Sequence, residues 1–545
     1  MWKSTRYVFF LFSLVQTFSV LGQTNERIQY KADELFEFRK KGEKIRKLIG
    51  NVVFKQKSST MYCDSSFFYV KDNIMEAYGH VKIIDDSVTI TSRRLIYNGS
   101  DRTAKLRENV IYTKGEQRLT TNFLDYNMET EVGNYFNSGT LKDSTNTLKS
   151  QIGYFYGKAN YALFWDRVIL TAPDYVLSTD TLRYNSITKV ANTTGKTEIE
   201  TEDGSVLHAR GGEFRTVNDQ SQFVEGNVET TDYYLEGDEL FFDDLKKYYD
   251  ATGNVKLTAK DEDIIIIGDE GFADKINGIS KIYGHALMKR VLEQDTFYLA
   301  ADTLVSIESE YDSLKRILAY NNVKMWRFNL QGIADSASYF LSDSLIYLYD
   351  DPVFWNLENQ IEGDTIFMEI TEDQIRSMTL LQNAFLTSTD TIANFNQIKG
   401  RTMKAHFGDS EIKKIDVNGN GEAIYYVLDD SDSLNIVTMG MNRILCSDMT
   451  IRFKNQELNN ITFFKKPEAR FIPPHELTEE VQKLRGFNWR KEEKPSLEEV
   501  TYQTISIENP PEPEAPRLPL PEVINKEGLP VDEQEMLKNL KSEND

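Results

Sequence analysis

The sequence predicts an all-β fold, a solenoid-like stack of about thirteen units of roughly 29 residues whose strands form facing sheets. Three observations carry that prediction. A short phrase returns along most of the chain, a second phrase keeps step with it, and proline is almost absent from the region they cover.

The first phrase is GNVVF at Gly50, GHVKI at Gly79 and ENVIY at Glu108, in steps of 29 residues. It continues in register as NSGTL at Asn137, DRVIL at Asp166 and GKTEI at Gly195. The step then loosens, through GNVET at Gly226, GNVKL at Gly253, GHALM at Gly284, NNVKM at Asn321 and DPVFW at Asp351. QNAFL at Gln382 and NGEAI at Asn420 are weaker echoes. The second phrase, polar-x-apolar-x-aromatic, lies between copies of the first: RRLIY at Arg93, NFLDY at Asn122, QIGYF at Gln151, DTLRY at Asp180 and DELFF at Asp238. Two phrases holding one period indicate tandem units, because chance apolar patterning would drift.

Within a unit, Val52/Phe54, Val81/Ile83 and Leu182/Tyr184 alternate as strand residues do. Gly-Asn and Gly-His stand where a turn or bulge requires positive φ or a short polar side chain. His80 and His285 occupy the slot that Asn fills elsewhere, so they are expected as turn residues. Between positions 24 and 466 only Pro173 and Pro352 occur, as expected if nearly every amide joins a ladder.

The flanks differ. Residues 1–23 carry Lys3 and Arg6 before an apolar run, the pattern of a secretory signal peptide. The repeats are assigned to 24–466. In 467–494, Leu477, Val481, Leu484 and Phe487 fall on one helical face, which predicts a short capping helix. Residues 495–545 are Pro- and Glu-rich and read as a flexible tail.

The net charge of -22 speaks against nucleic acid as a partner and against general attraction to anionic membranes. The chain is therefore expected to be exported and at most peripheral to membranes. No histidine lies at metal-ligand spacing, no phosphate loop or nucleophile elbow is present, and neither cofactor nor metal is expected. Asp180, Asp238, Asp302 and Asp364 share one register that suggests a cation ladder, but Arg93, Asn122, Gln151 and Arg210 occupy it in other copies. Solvated strand-edge residues are the plainer reading. Adjacent pairs such as Asp85-Asp86 point to opposite faces of a strand and make poor acid/base dyads. Cys63 and Cys446 belong to distant units and are expected as two free thiols.

The inward faces of such a stack can close into a packed core or splay into an apolar groove, and these residues alone leave both open. A-D-x-L-x-Y followed by A-x-G-N-V-x-L, seen in LEGDELFFDDLKKYYDATGNVKL (Leu235–Leu257) and LAADTLVSIESEYDSLKRILAYNNVKM (Leu299–Met325), resembles the OstA-like domain family. That domain is found in the periplasmic lipopolysaccharide-transport bridge protein and in the N-terminal part of the outer-membrane lipopolysaccharide assembly protein. The resemblance implies a "β-taco", an open jellyroll whose V-shaped channel holds lipopolysaccharide acyl chains. It also implies periplasmic localisation, possible association with the outer membrane, and end-to-end strand pairing with other transport components. The lining candidates are then Val52, Phe54, Val81, Ile83, Val110, Val168, Leu170, Leu182, Tyr184, Val255, Leu257 and Val323. A structural rod or adhesin with a dry core is the competing reading, and a carbohydrate-active β-helix the third.

Overall fold

Every second strand breaks step at its middle, and the first phrase marks the place. The computed structural model describes residues 27–501 except 41, 216, 232, 261–263, 293–294, 372–373, 409–410, 430–435 and 455–456, and beyond them 523–524 and 530–531. The signal peptide and nearly all of the tail lie outside the described residues. Gly50-Asn51, Gly79-His80, Glu108-Asn109, Gly253-Asn254 and Gly284-His285 all hold positive φ. At each pair the register of the ladder shifts. The phrase is thus a mid-strand bulge and not a turn between strands. Two successive left-handed residues are cheap only for Gly, Asn and a few short polar residues, so the slot keeps its chemistry when the spacing loosens.

The residue facing each bulge explains the aspartate register. The Asp238 carboxylate accepts from the side-chain amide of Asn254 at 2.8 Å, and Asp302 and Asp364 accept likewise from Asn322 and Asn383. Asp64 and Asp269 bond the Nδ1 atoms of His80 and His285 at 2.8 and 2.9 Å. A Cβ added at Gly253, where φ is +74°, would run into Asp238. The histidines do the work of asparagine, fastening a bulge to its neighbouring strand.

Each bulge bends its strand, so that one half lies in an arm we call B and the other, after the bulge, in an arm called A. Thirty-four strands among the described residues join one antiparallel sheet, most of them paired with their sequence neighbours. Glu43–Gln56 pairs with Ser59–Tyr69, that with Ile74–Asp85, and that with Val88–Asn98. One 29-residue unit is therefore a single hairpin of two bent strands. The sheet folds along its line of bulges into a V, with apolar residues on the inner face. This is the all-β stack that the repeat predicts, in the jellyroll form that the resemblance implies.

Cys63 and Cys446 are free thiols, and burial pushes Cys63 up to about 12. Pro173 falls in a turn and Pro352 between the strands Leu345–Tyr349 and Val353–Asn356, where no ladder amide is lost.

The expected helix over His475–Arg490 does not form. That segment takes a 3-10 turn at Pro474–Glu476, with another at Lys491–Glu493, and Gly486 holds φ +96°. It lies as a strap along the outer face of the sheet. Leu477, Val481, Leu484 and Phe487 do pack together, against Phe385, Ile424, Met441 and Ile472. The apolar pattern was legible, while the conformation is set by hydrogen bonds to distant strands. Gln397 donates to the Gln482 carbonyl and accepts from Leu484 N–H, and Gln360 does the same with Asn488 and Arg490. The short C-terminal helix is Leu497–Thr501, in a second unit beginning at Ser496. Ser496 and Glu499 bond each other's backbone N–H in a capping box.

The strap covers Glu362, whose Oε1 is buried with no hydrogen-bond partner among the described residues. Burial raises its pKa to about 7, and Asp351 and Glu493 push the same way while Arg490 opposes them. A carboxyl raised on folding stabilises the strap below its ordinary value near 4.3 and loses that contribution as pH rises through about 7. Hydrogen-exchange protection of residues 477–490 is expected to fall about tenfold between pH 5 and 8 after correction for intrinsic rates, a change of about 1.4 kcal/mol. Glu362→Gln should abolish the fall. Equal slopes in the two proteins would show that Glu362 does not tune the strap.

Candidate functional site

Two rows of side chains line the inside of the V. In arm A each residue is the direct cross-strand partner of the next. The row starts Tyr30–Phe54–Met61–Ile83 and passes through Leu170–Leu177–Ile199–Leu207. It continues through Leu235–Leu257–Ile266–Met288 and ends Ile398–Ala423–Ile444–Ala469. In arm B the row alternates in size, Tyr97–Ala104–Tyr126–Gly133–Phe155–Ala162–Tyr184–Ala191–Phe214. The aromatic that closes the second phrase supplies every large step, and the strand between supplies Ala or Gly. Large and small side chains interleave along the ladder, as cross-strand packing favours.

All twelve lining candidates point into the V. Phe54, Ile83, Leu170 and Leu257 belong to the arm A row, and Tyr184 to that of arm B. Val52, Val81, Val110, Val168, Val255 and Val323 sit one step nearer the crease in arm A, as Leu182 does in arm B. Nine of them are buried; Leu170, Tyr184 and Leu257 are half-buried. The difference follows position along the stack.

In the N-terminal stretch the arms meet. Phe54 of arm A packs on Phe68 of arm B at 6.3 Å between ring centroids, and Tyr112 packs on Tyr126 at 5.8 Å. Polar side chains at the two margins close the mouth above them. Tyr97 Oη donates to Gln56 Oε1 at 2.6 Å, and Gln56 donates to the Gly99 carbonyl. Arg102 donates to Ser59 Oγ at 2.7 Å and to Glu129 at 3.0 Å, and lies 3.8 Å from Asp85. Lys57 reaches Glu129 from the opposite margin at 3.1 Å. Burial raises the Tyr97 hydroxyl to about 12, so it stays a donor. We call this cluster the latch. Asp85 was read only as one of an adjacent pair on opposite faces of a strand, and the rest of the cluster went unread. Its members lie up to 72 residues apart, and no local pattern joins them.

The middle stretch is different. The inner-row residues Leu207, Val228, Leu235, Leu257 and Ile266 of arm A are only half-buried, as are Phe214, Phe242 and Tyr249 of arm B. The aromatic contacts here run along arm B, Phe214–Phe223–Phe242–Tyr249, at 5.1 to 5.9 Å. Near the crease stand Gly226, Gly237, Gly268 and Gly271, whose missing side chains leave room that Leu240 and Ile282 occupy. Beyond Ala286 the arms close again over a core that includes Phe354, Ile361, Met378 and Ile415. Among the described residues, no group of three or more His, Cys, Asp or Glu is placed to hold a metal ion.

Known proteins resemble the chain in two separate stretches. Residues 26–180 match the family described as OstA-like protein, and residues 291–374 match that described as LptA/(LptD N-terminal domain) LPS transport protein. Among solved structures, the chain is similar to LptH of Pseudomonas aeruginosa, described as the LptA homologous periplasmic component of the conserved lipopolysaccharide transport device. The identity is 12%, over 22% of this chain and 82% of that one, with a TM-score of 0.19. No curated protein matches the chain. Of the two stretches that carry the resemblance in the sequence, Leu299–Met325 lies within the second matched range, while Leu235–Leu257 lies between the two; together the matches show likeness to OstA-like and LptA/(LptD N-terminal domain) proteins over residues 26–180 and 291–374.

Proposed function

We propose that this chain is a non-enzymatic periplasmic carrier of lipopolysaccharide, holding the acyl chains between its two arms as part of a bridge toward the outer membrane. The observation that carries this reading is the arm A row, apolar without a break from Tyr30 to Ala469 apart from Gly332. An amphiphile moved along such a row exchanges one apolar contact for the next. Burial of hydrocarbon contributes ~0.8 kcal/mol per CH₂, which outweighs the long-range repulsion between anionic headgroups and a protein of charge -22. The description of the second matched family as an LPS transport protein supports the same reading.

Both ends of the stack suit end-to-end pairing with other transport components. The edge strand Glu34–Lys40 is exposed throughout and presents Leu35, Phe36 and Phe38. At the other end Glu468–Ile472 is also an edge among the described residues, with Phe471 half exposed. Unpaired edges of this kind accept a further strand.

A photocrosslinking group at Leu257 or Ile266 should capture lipopolysaccharide in cells at least tenfold more than one at the outward-facing neighbour Lys256. Equal labelling at the three positions would leave the dry structural rod as the better account.

A further inference from the structure

The turns at the arm B margin repeat one geometry, and the residue at their tip changes character along the stack. In the N-terminal stretch Asn127 accepts hydrogen bonds from the backbone N–H of Glu129 and Thr130, which aims Glu129 outward into the latch. Asn185 holds the N–H groups of Ile187 and Thr188 in the same way. Asp243 and Asp274 fasten the turns that carry Leu245 and Ile276. The tip position reads Lys71, Ser100, Glu129 and Lys158 where the mouth is closed, and Ile187, Val217, Leu245 and Ile276 where it is half open. Those four apolar tips are 64 to 69% exposed. A side chain held out by such a turn cannot fold back onto the sheet, so the exposure is built into the turn.

Successive tips are two strands apart, so the four span roughly 30 Å. Lys189, Lys246, Lys247 and Lys275 lie beside them and match in number the carboxylates Asp219, Asp243, Asp244 and Asp274 of the same turns, with Lys246 paired to Asp243 and Lys275 to Glu308. Among the described residues, the facing arm A margin carries Asp174, Glu202, Asp203 and Glu229 against Lys260 and is acidic. One side of the mouth therefore offers hydrocarbon beside balanced charges that include four ammonium groups, and the other is net acidic. From crease to arm B margin an arm is five residues deep, as from Thr252 to Tyr248, or roughly 17 Å. That is close to one leaflet of a hydrocarbon core about 30 Å thick, the reach of one extended acyl chain.

We propose that the arm B margin between Ile187 and Ile276 is a side entrance, over which an anionic, multiply acylated amphiphile slides its chains into the half-open stretch. The proposal rests on the carrier reading and adds to it a route that does not depend on the ends of the stack. The apolar tips receive the acyl chains before they reach the inner rows, and the lysines meet the anionic headgroup.

The test is the loading rate of the full chain from micelles of fluorescent lipopolysaccharide, followed in a stopped-flow instrument, with the amount bound at equilibrium measured separately. The variant I187S/V217S/L245S/I276S should load at least tenfold more slowly and bind the same final amount, since its tips touch neither inner row. K189E/K246E/K247E/K275E should also load more slowly at low salt, with the difference removed at high salt. If the wild type loads and the apolar-tip variant loads equally fast, the side entrance is wrong and the carrier reading stands. If the charge-reversed variant loads like the wild type, the headgroup does not pass this margin. If the wild type takes up no lipid, the carrier reading itself fails.

Discussion

Arg102→Ala is expected to destabilise the N-terminal stretch by about 3 kcal/mol, the cost of leaving a buried charge without its partner. Both side chains of the Arg102–Asp85 pair are only 10% exposed, and without the guanidinium Asp85 keeps only the hydroxyls of Ser58 and Ser59. Glu129, with a side chain 55% exposed, is the outer member of the latch. Glu129→Gln should therefore cost under ~1 kcal/mol. The measurement is hydrogen exchange across residues 52–126, which reports local opening of the arms separately from global unfolding. Protection within 0.5 kcal/mol of wild type in Arg102→Ala would mean that apolar contact alone closes this mouth.

The latch also has a pH signature. Hydrogen bonds from Arg102, and next from Lys57, hold the Glu129 carboxyl below the usual carboxylate range. A depressed carboxyl contributes its full stability above the ordinary value near 4.3 and loses it as pH falls through the lowered one. Acid therefore loosens the latch, whereas alkali loosens the strap over Glu362. The two sites respond at opposite ends of the pH range because one carboxylate is bonded by cations and the other is desolvated.

Leu257→Asp is expected to weaken lipopolysaccharide binding about thirtyfold, or 2 kcal/mol, with little change in unfolding. The side chain is half-buried in the open stretch, so the new carboxylate keeps water and the sheet tolerates it. In the bound state it sets a charge against hydrocarbon and removes several methylene contacts worth ~0.8 kcal/mol each. Phe242→Asp, on the arm B side, should behave alike, while Lys256→Asp on the outer face should bind as wild type does. Undiminished affinity in both inner variants, measured on purified protein, would place the acyl chains elsewhere.

The repeat and its bulges were legible because each bulge needs left-handed backbone, which restricts residue type wherever it occurs. Gly253-Asn254 and Gly284-His285 advertise the same geometry despite uneven spacing. The arm B row was legible for a related reason. A strand alternates its faces, so Tyr97, Tyr126 and Tyr184 recur at the end of one phrase. The strap was half legible. Leu477, Val481, Leu484 and Phe487 were recognised as a packing set, but their spacing suits more than one backbone path. Contacts with Gln360 and Gln397, more than 80 residues away, chose the path without a helix.

The sequence by itself determined a repetitive β-stack with apolar inner faces, because period, bulge chemistry and alternation are local properties of the chain. Only the tertiary structure decided where the V is shut and where it stands open. That choice depends on Gln56 meeting Tyr97 and Ser59 meeting Arg102 across the mouth, contacts that, among the described residues, the half-buried rows of the middle stretch lack. Such encounters are made between strands in different arms, and no periodicity along one strand encodes the distance between the arms.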